Sequence, residues 1–495
     1  MSDSASAPAT TTPAQRNLVL VAAILASSLG FIDGAVVSVA IPAIRADLGA
    51  SFTDIQWVAN AYTLLLSALI LVGGAAGDRF GLRLAFAGGI GVFALTSIGC
   101  ALSGSAGQLI AWRAAQGAGA AFMVPGSLAL IARTFPPDTR GAAIGLWSMA
   151  SGIAAALGPI LGGLLIEYGG PTAWRWVFWL NPPIGALTIA LVLAAAERNG
   201  SQAGKSLDVL GAILVTLGLG GISWGLTQAS DAGASTAGIV LPFLAGLVFL
   251  AAFLGWEKRA KEPMMPLSLF GLRTFNGANL LTFFLYFALA GSLFFLPMTL
   301  IQGLGLPEGE AGSVYLPFTL MMALVARLSG GMTDRLGPRL PLTWGSIIVG
   351  LSFLAVAAGV YMEAFVFGVI PAMVLLGVGM GLVVAPLSTT VMTVADDALA
   401  GTASGINNGI SRIAGLFAVA VLGVIAAFVF RRAVDPMLAG VGFGQPLGTL
   451  ADWPASHLYV EGMLKAFVAV SLVTAALAFI SAGIAWRMLQ GKTKT

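Results

Sequence analysis

Fourteen runs of about twenty apolar residues, each parted from the next by a few polar or charged ones, dominate this 495-residue chain. Coiled as an α-helix at about 1.5 Å per residue, each run crosses the roughly 30 Å of a bilayer's hydrocarbon. The chain cannot hide that surface from water, because only 9% of its residues are charged, whereas a soluble domain carries roughly a quarter. The runs predict helices over 17–43, 54–75, 84–104, 107–132, 141–165, 175–195, 208–229, 236–256, 275–302, 311–330, 340–360, 364–390, 399–428 and 463–488. The expected fold class is an all-α integral membrane protein.

The 65 glycines and 23 prolines fit this reading, since helices in lipid use small residues for close approach and tolerate proline. The single cysteine, Cys100, lies in an apolar run and rules out a disulfide framework within the chain. Residues 1–16 are polar, and the run behind them is too long for a signal-peptide core, so an uncleaved first helix is expected. A net charge of +3 and a pI near 9.1 do not point to nucleic acid, because the basic residues sit in short loops rather than in one patch. With a cytoplasmic N-terminus, inner loops and tails hold sixteen Lys and Arg against five outside. That bias places both termini in the cytoplasm of a cell inner (plasma) membrane protein.

The chain also repeats itself. Gly74 to Arg83, with Asp78, Arg79 and Gly81, returns 256 residues later as Gly330 to Arg339, with Asp334, Arg335 and Gly337. A shift of 260 relates Gly117, Gly119, Gly141 and Gly145 to Gly377, Gly379, Gly401 and Gly405. Two related halves are a common plan of transporters. The expected organisation is a tail at 1–16, a six-helix half at 17–195, a linker at 196–271 holding inserted helices seven and eight, and a second half at 272–495 with a long outer loop at 429–462.

Three features carry mechanism. The two Asp-Arg loops place glycine where a tight turn is needed and an acid at a helix N-terminus, with Arg79, Arg83 and Arg339 as partners that open and close. Arg113 lies well inside the fourth helix, where a charge costs about 2.5–3.5 kcal/mol on insertion scales. Asp33 is the only acid deep in any span and lies at a matching depth. The pair reads either as a fixed ion pair or as a protonatable acid tuned by arginine. In the fifth helix, Gly158-Pro159-Ile160-Leu161-Gly162-Gly163 combines a lost backbone hydrogen bond with room for close packing, as a bent gating helix requires.

These residues resemble the major facilitator superfamily, in its fourteen-helix drug:proton antiporter branch. The likeness rests on Asp33 to Pro42, the two Asp-Arg loops, Arg113, Gly158-Pro159, Trp174 to Asn181 and Ser404 to Arg412, and covers nearly the whole chain. It implies two six-helix bundles plus an inserted pair, proton coupling at Asp33 and Arg113, and export rather than uptake through the Gly158-Pro159 motif. No cofactor beyond the proton gradient is implied. In the second half, Leu289 stands at the position of Asp33, Met373 at Arg113 and Ala418-Val419 at Gly158-Pro159, so coupling is expected in the first half alone.

Polar stripes mark candidate substrate contacts: Gln56, Asn60, Thr63 and Ser67 on the second helix, Asn279, Thr282 and Tyr286 on the ninth, and Ser404, Asn408 and Arg412 on the thirteenth. Polar glue between helices is the competing reading. One deep acid against two deep arginines makes a cavity for dications improbable and leaves monocations, neutral lipophiles and anionic amphiphiles open. The expected function is proton-coupled export of lipophilic or amphiphilic small molecules by alternating access, working as a monomer among membrane lipids. Export of a specific endogenous metabolite or lipid-like amphiphile is the alternative, and a non-transporting sensor or scaffold a more distant one.

Enzyme readings fail on placement. Gly221-Ile222-Ser223-Trp224-Gly225 matches a nucleophile string but lies in a predicted helix, and the sole histidine, His457, sits in the long outer loop. Gly204-Lys205-Ser206 lacks the first glycine of a phosphate loop, with asparagine at 199. No catalytic or metal-binding set is expected.

Overall fold

The computed structural model describes residues 12–196, 207–231, 233–261, 263–394, 399–434, 441–445 and 456–489. The polar tail, the Gly204-Lys205-Ser206 stretch and most of the long loop fall outside them, as do the side chains of Asp78, Asp334 and Arg335. Among the described residues, fourteen helical spans are long and apolar enough to cross a membrane. They are α1 (Pro13–Leu48), α2 (Phe52–Phe80), α3 (Leu82–Ala101), α4 (Ala106–Thr134), α5 (Pro137–Gly169), α6 (Trp174–Ala195), α7 (Val209–Gln228) and α8 (Thr236–Glu257). There follow α9 (Arg273–Gln302), α10 (a lead-in turn, Glu308–Ser313, then Tyr315–Leu336), α11 (Arg339–Tyr361), α12 (Phe365–Val394), α13 (Ala400–Ala433) and α14 (Ser456–Met488). Fourteen antiparallel spans put Pro13 and Met488 on one face, here the terminal face; the other is the distal face.

Each span matches an expected helix, but most run further than hydropathy reads. Two of the extensions shorten the loop expected at 429–462, because α13 continues to Ala433 and α14 begins at Ser456. Arg431 and Arg432 in the last turn of α13 complement the helix dipole. Glu461 and Lys465, 2.6 Å apart at i,i+4, hold the polar start of α14. His457 therefore lies on α14 rather than in a loop. Arg45 likewise belongs to the last turn of α1, where it is buried.

The repeat is a repeat of packing. A Cβ on Gly117 would lie 2.2 Å from the Tyr62 carbonyl oxygen, and one on Gly377 would lie 2.4 Å from that of Phe318. Gly119 meets the Gly89 carbonyl at 2.9 Å as Gly379 meets that of Gly345. The fourth helix of each set thus presses its glycine face onto backbone of the second and third, where any side chain is excluded. Gly117→Ala and Gly377→Ala are both expected to destabilise by about 1–3 kcal/mol, since backbone cannot swing aside; thermal unfolding in detergent measures the loss. The tight turns repeat as well, with Gly81 at φ 89° and Gly337 at φ 76°, a conformation that side chains resist.

The inserted hairpin sits unequally. Only 11% of the most apolar stretch of α8 is buried, at a mean hydropathy of 2.5, so its free surface suits lipid. Helix α7 instead packs between α2 and α13: Leu64, Leu219 and Leu416 form one buried cluster, and Trp57 and Trp224 have ring centroids 5.3 Å apart. Along this seam Gln56 Oε1, Asn60 Nδ2, Ser223 Oγ, Thr227 Oγ1 and Ser230 Oγ are buried without a protein partner. Each such group costs roughly 1–3 kcal/mol unless water reaches it. Replacing Ser223 by Ala together with Thr227 by Val is therefore expected to raise the melting temperature; a fall would reveal bridging water.

Candidate functional site

Asp33, midway along α1, and Arg113, on α4, are each 1% exposed, and Arg113 Nη1 donates to Asp33 Oδ2. Neither is a bare charge in an apolar core. Gln116, one turn beyond Arg113, donates from Nε2 to Asp33 Oδ1 at 2.9 Å and to Ser97 Oγ at 2.8 Å, and its Oε1 accepts from Arg113 Nη1 at 2.6 Å. Asn181 on α6 donates to Asp33 Oδ1 at 3.3 Å and to Ser97 Oγ at 3.1 Å. Arg113 Nε donates to the Val58 carbonyl at 3.1 Å, and its guanidinium lies 4.4 Å from the centre of the Tyr62 ring. Four helices besides α1 thus hold one ion pair. Removing either charge alone would strand the other, which typically costs about 3–5 kcal/mol.

The expectation named only Asp33 and Arg113; Gln116, Asn181, Ser97 and Tyr62 went unread. Gln116 follows Arg113 at helical spacing and Asn181 ends a family-like stretch, so both had a sequence signal. Ser97 and Tyr62 had none. At the repeat-related positions the second half carries Leu289, Phe318, Phe353, Met373 and Leu376 in place of Asp33, Tyr62, Ser97, Arg113 and Gln116. The same architecture is packed there with apolar side chains, and Phe353 and Leu376 are fully buried. The polar cluster is therefore no requirement of the fold.

Helix α5 joins this cluster to the other half. A Cβ on Gly158 would lie 3.1 Å from Ile32 Cα, and one on Gly162 would lie 2.0 Å from Val36 Cγ2, so both glycines fit α5 against α1 on either side of Asp33. One residue on, Gly163 faces the Glu308 carbonyl at 2.3 Å, and Gly312 faces the Pro159 carbonyl at 2.4 Å. These contacts close the distal face between α5 and the lead-in turn of α10. Ser38 Oγ and the Tyr315 hydroxyl, 3.1 Å apart, Gln56 Nε2 donating to the Val419 carbonyl at 2.8 Å, and Arg45 Nη1 donating to that of Phe443 at 2.6 Å close it elsewhere.

The Asp-Arg loops tie each third helix to the last helix of its own set. Arg83 donates to the Leu193 carbonyl at the end of α6, and Arg339 stacks 3.8 Å from the Trp486 ring centre on α14. Arg79 lies over its neighbour Phe80, and Gly74 is exposed with nothing near its Cβ position.

The polar stripes divide. Gln56 and Asn60 are buried in the α2–α7–α13 seam, and Thr63 turns back onto the Ala59 carbonyl at 3.1 Å. Asn279 and Thr282 accept from Asn407 at 2.9 and 2.7 Å, which binds α9 to α13 as glue. Asn408 is exposed and donates to the Ser404 carbonyl. Arg412 is half-buried on α13. A cavity of about 610 Å³ opens elsewhere, on the distal face beside Arg45, Ser230 and Arg431, and none of the central charged residues lines it.

The sequence model described as Major Facilitator Superfamily matches residues 23–419. A tetracenomycin C resistance and export protein of Streptomyces glaucescens is 35% identical over 91% of this chain and 88% of its own length. A multidrug resistance protein of Mycobacterium tuberculosis is 30% identical over 85% of this chain and 78% of its own. Among solved structures, a bacterial homolog of the human lysosomal transporter Spinster, inward-facing and unoccupied, superposes with a TM-score of 0.62 at 17% identity, covering 98% of this chain and 100% of that one. The chain is a transporter and not an enzyme, and it belongs to the Major Facilitator Superfamily.

Proposed function

We propose that this protein exports lipophilic or amphiphilic small molecules across the plasma membrane in exchange for protons, with both termini in the cytoplasm. The observation that carries the reading is the buried Asp33–Arg113 pair, built into one set of helices and replaced by apolar residues in its repeat. A fold that packs equally well without the pair retains it for another purpose. The relatives named for export and drug resistance support the direction, and the excess of Lys and Arg in terminal-face loops supports the orientation of the termini.

The chemistry follows from charge. With Asp33 ionised, the membrane interior holds one deep acid against Arg113 and Arg412; a proton on Asp33 oxygen cancels the acid and leaves the two positive charges. Protonation raises the local potential, so it expels a bound cation and strengthens binding of an anion. Exchange of proton for substrate therefore favours neutral lipophiles, or amphiphiles with at most one positive charge, over anions. The Gly158 and Gly162 contacts on either side of Asp33 carry any shift of α1 to α5, and Gly163 carries it to the distal closure.

The test is substrate-stimulated proton release from proteoliposomes holding the purified protein, run against a panel of dyes, detergents, fatty acids and antibiotics. Export of several chemically unlike compounds fits the multidrug reading, and response to a single compound fits a dedicated metabolite exporter. Flux of substrate in the same direction as the proton would refute exchange.

A further inference from the structure

The terminal-face end of the inserted hairpin holds two carboxyl groups that no step above uses. Asp208 caps α7, its Oδ1 accepting the Gly211 amide at 2.8 Å and the Trp256 indole N–H at 2.7 Å. Glu257, the last residue of α8, is 3% exposed, and its Oε2 accepts the Met265 amide at 2.9 Å. Trp256, which bonds Asp208, immediately precedes Glu257, so the two carboxyl groups lie at one corner of the hairpin. Their remaining oxygens, Asp208 Oδ2 and Glu257 Oε1, are both buried and receive no donor from the protein.

Hydrogen-bond accounting among the described residues favours a bound proton. An ionised carboxylate only accepts, so two ionised groups at one corner have nothing to share and repel. Among the described residues, the groups that bond the pair are neutral: the Gly211 amide from α7, the Trp256 indole from α8 and the Met265 amide from the segment before α9. Lys258 and Arg259 are exposed, and among the described residues no Lys or Arg forms an ion pair with either acid. A calcium or magnesium ion takes about six or more oxygens, and only two are free here. A single proton needs one oxygen to carry it and one to accept it.

We propose that Asp208 and Glu257 form a proton-binding site, in which one proton shared between Asp208 Oδ2 and Glu257 Oε1 latches the ends of α7 and α8 to each other and, through Met265, to the approach to α9. Releasing the proton to water leaves two carboxylates at one corner, and their repulsion loosens the latch. The folded chain holds this proton more tightly than the unfolded one, so the stabilisation is present at low pH and lost as pH rises. The site stands apart from the transport reading and survives its failure.

The experiment follows thermal unfolding of the detergent-purified protein from about pH 5 to about pH 9, together with the infrared carbonyl band of protonated carboxyl groups. In Glu257→Gln the amide oxygen still accepts from Met265 and the amide nitrogen donates to Asp208, a latch that cannot titrate. Asp208→Asn supplies the same donor from the other side. The wild-type melting temperature is expected to fall by several degrees towards alkaline pH. Both variants are expected to stay level there, and each to lose one protonated carboxyl band. A level wild-type profile, or a slope and band that persist in either variant, would overturn the site.

Discussion

Asp33→Asn is expected to abolish substrate-stimulated proton release while leaving the protein in the membrane with weakened stability. The two effects have different sources and can be separated. Asparagine cannot release a proton in this range, so coupling disappears whatever the fold does. Stability falls because Arg113 keeps its bonds to Val58 and Gln116 but loses its only counter-charge, and breaking a buried pair from one side costs about 3–5 kcal/mol. Combining Asp33→Asn with Arg113→Gln removes the stranded charge and is expected to restore much of the melting temperature without restoring coupling. Proton release and thermal unfolding on the same preparations check both. Coupling that persists in Asp33→Asn would remove Asp33 from the mechanism.

Gly163→Val acts at the other end of α5. Its side chain would meet the Glu308 carbonyl and Gly309 Cα, backbone atoms that no rotamer change can clear. The clash exists only while α5 and the α10 lead-in are together, so the substitution penalises the distal-closed state and not the helix itself. A penalty of about 1–3 kcal/mol shifts the balance towards the distal-open state by roughly 5- to 150-fold. Transport turnover should fall accordingly. A cysteine at Ser38, which is buried against Tyr315 in the closed seam, should gain reactivity with a membrane-impermeant maleimide in a Cys100→Ser background. Unchanged labelling with normal turnover would show that the glycine seam does not gate access.

The proposed coupling pair and the proposed gating seam differ in how far the sequence reveals them. Asp33 and Arg113 stand out in apolar runs because a charge in lipid is conspicuous at any helix rotation. Gln116 and Asn181 are uncharged and common in membrane helices, and only the convergence of α1, α3, α4 and α6 makes them ligands of one carboxylate. The polar stripes show the same limit from the other side. Asn279 and Thr282 follow helical spacing as cavity residues would, yet their face of α9 meets Asn407. A stripe records which side of a helix is polar, not what that side touches. The acids of the inserted hairpin lie at helix ends, where charge is ordinary, and nothing in the linear order marks them as a buried pair.

Sequence by itself determined the fourteen spans, the doubled plan and the depth of the charged pair, because hydrophobic length and repeat spacing are properties of the chain read in order. Tertiary structure alone decided which polar groups face one another, that α7 lies in the seam between α2 and α13, and that Gly158, Gly162 and Gly163 link Asp33 to the distal closure. Each helix turns by about 100° per residue, so a contact between helices depends on their rotation and relative height, and those are fixed only when all of them pack.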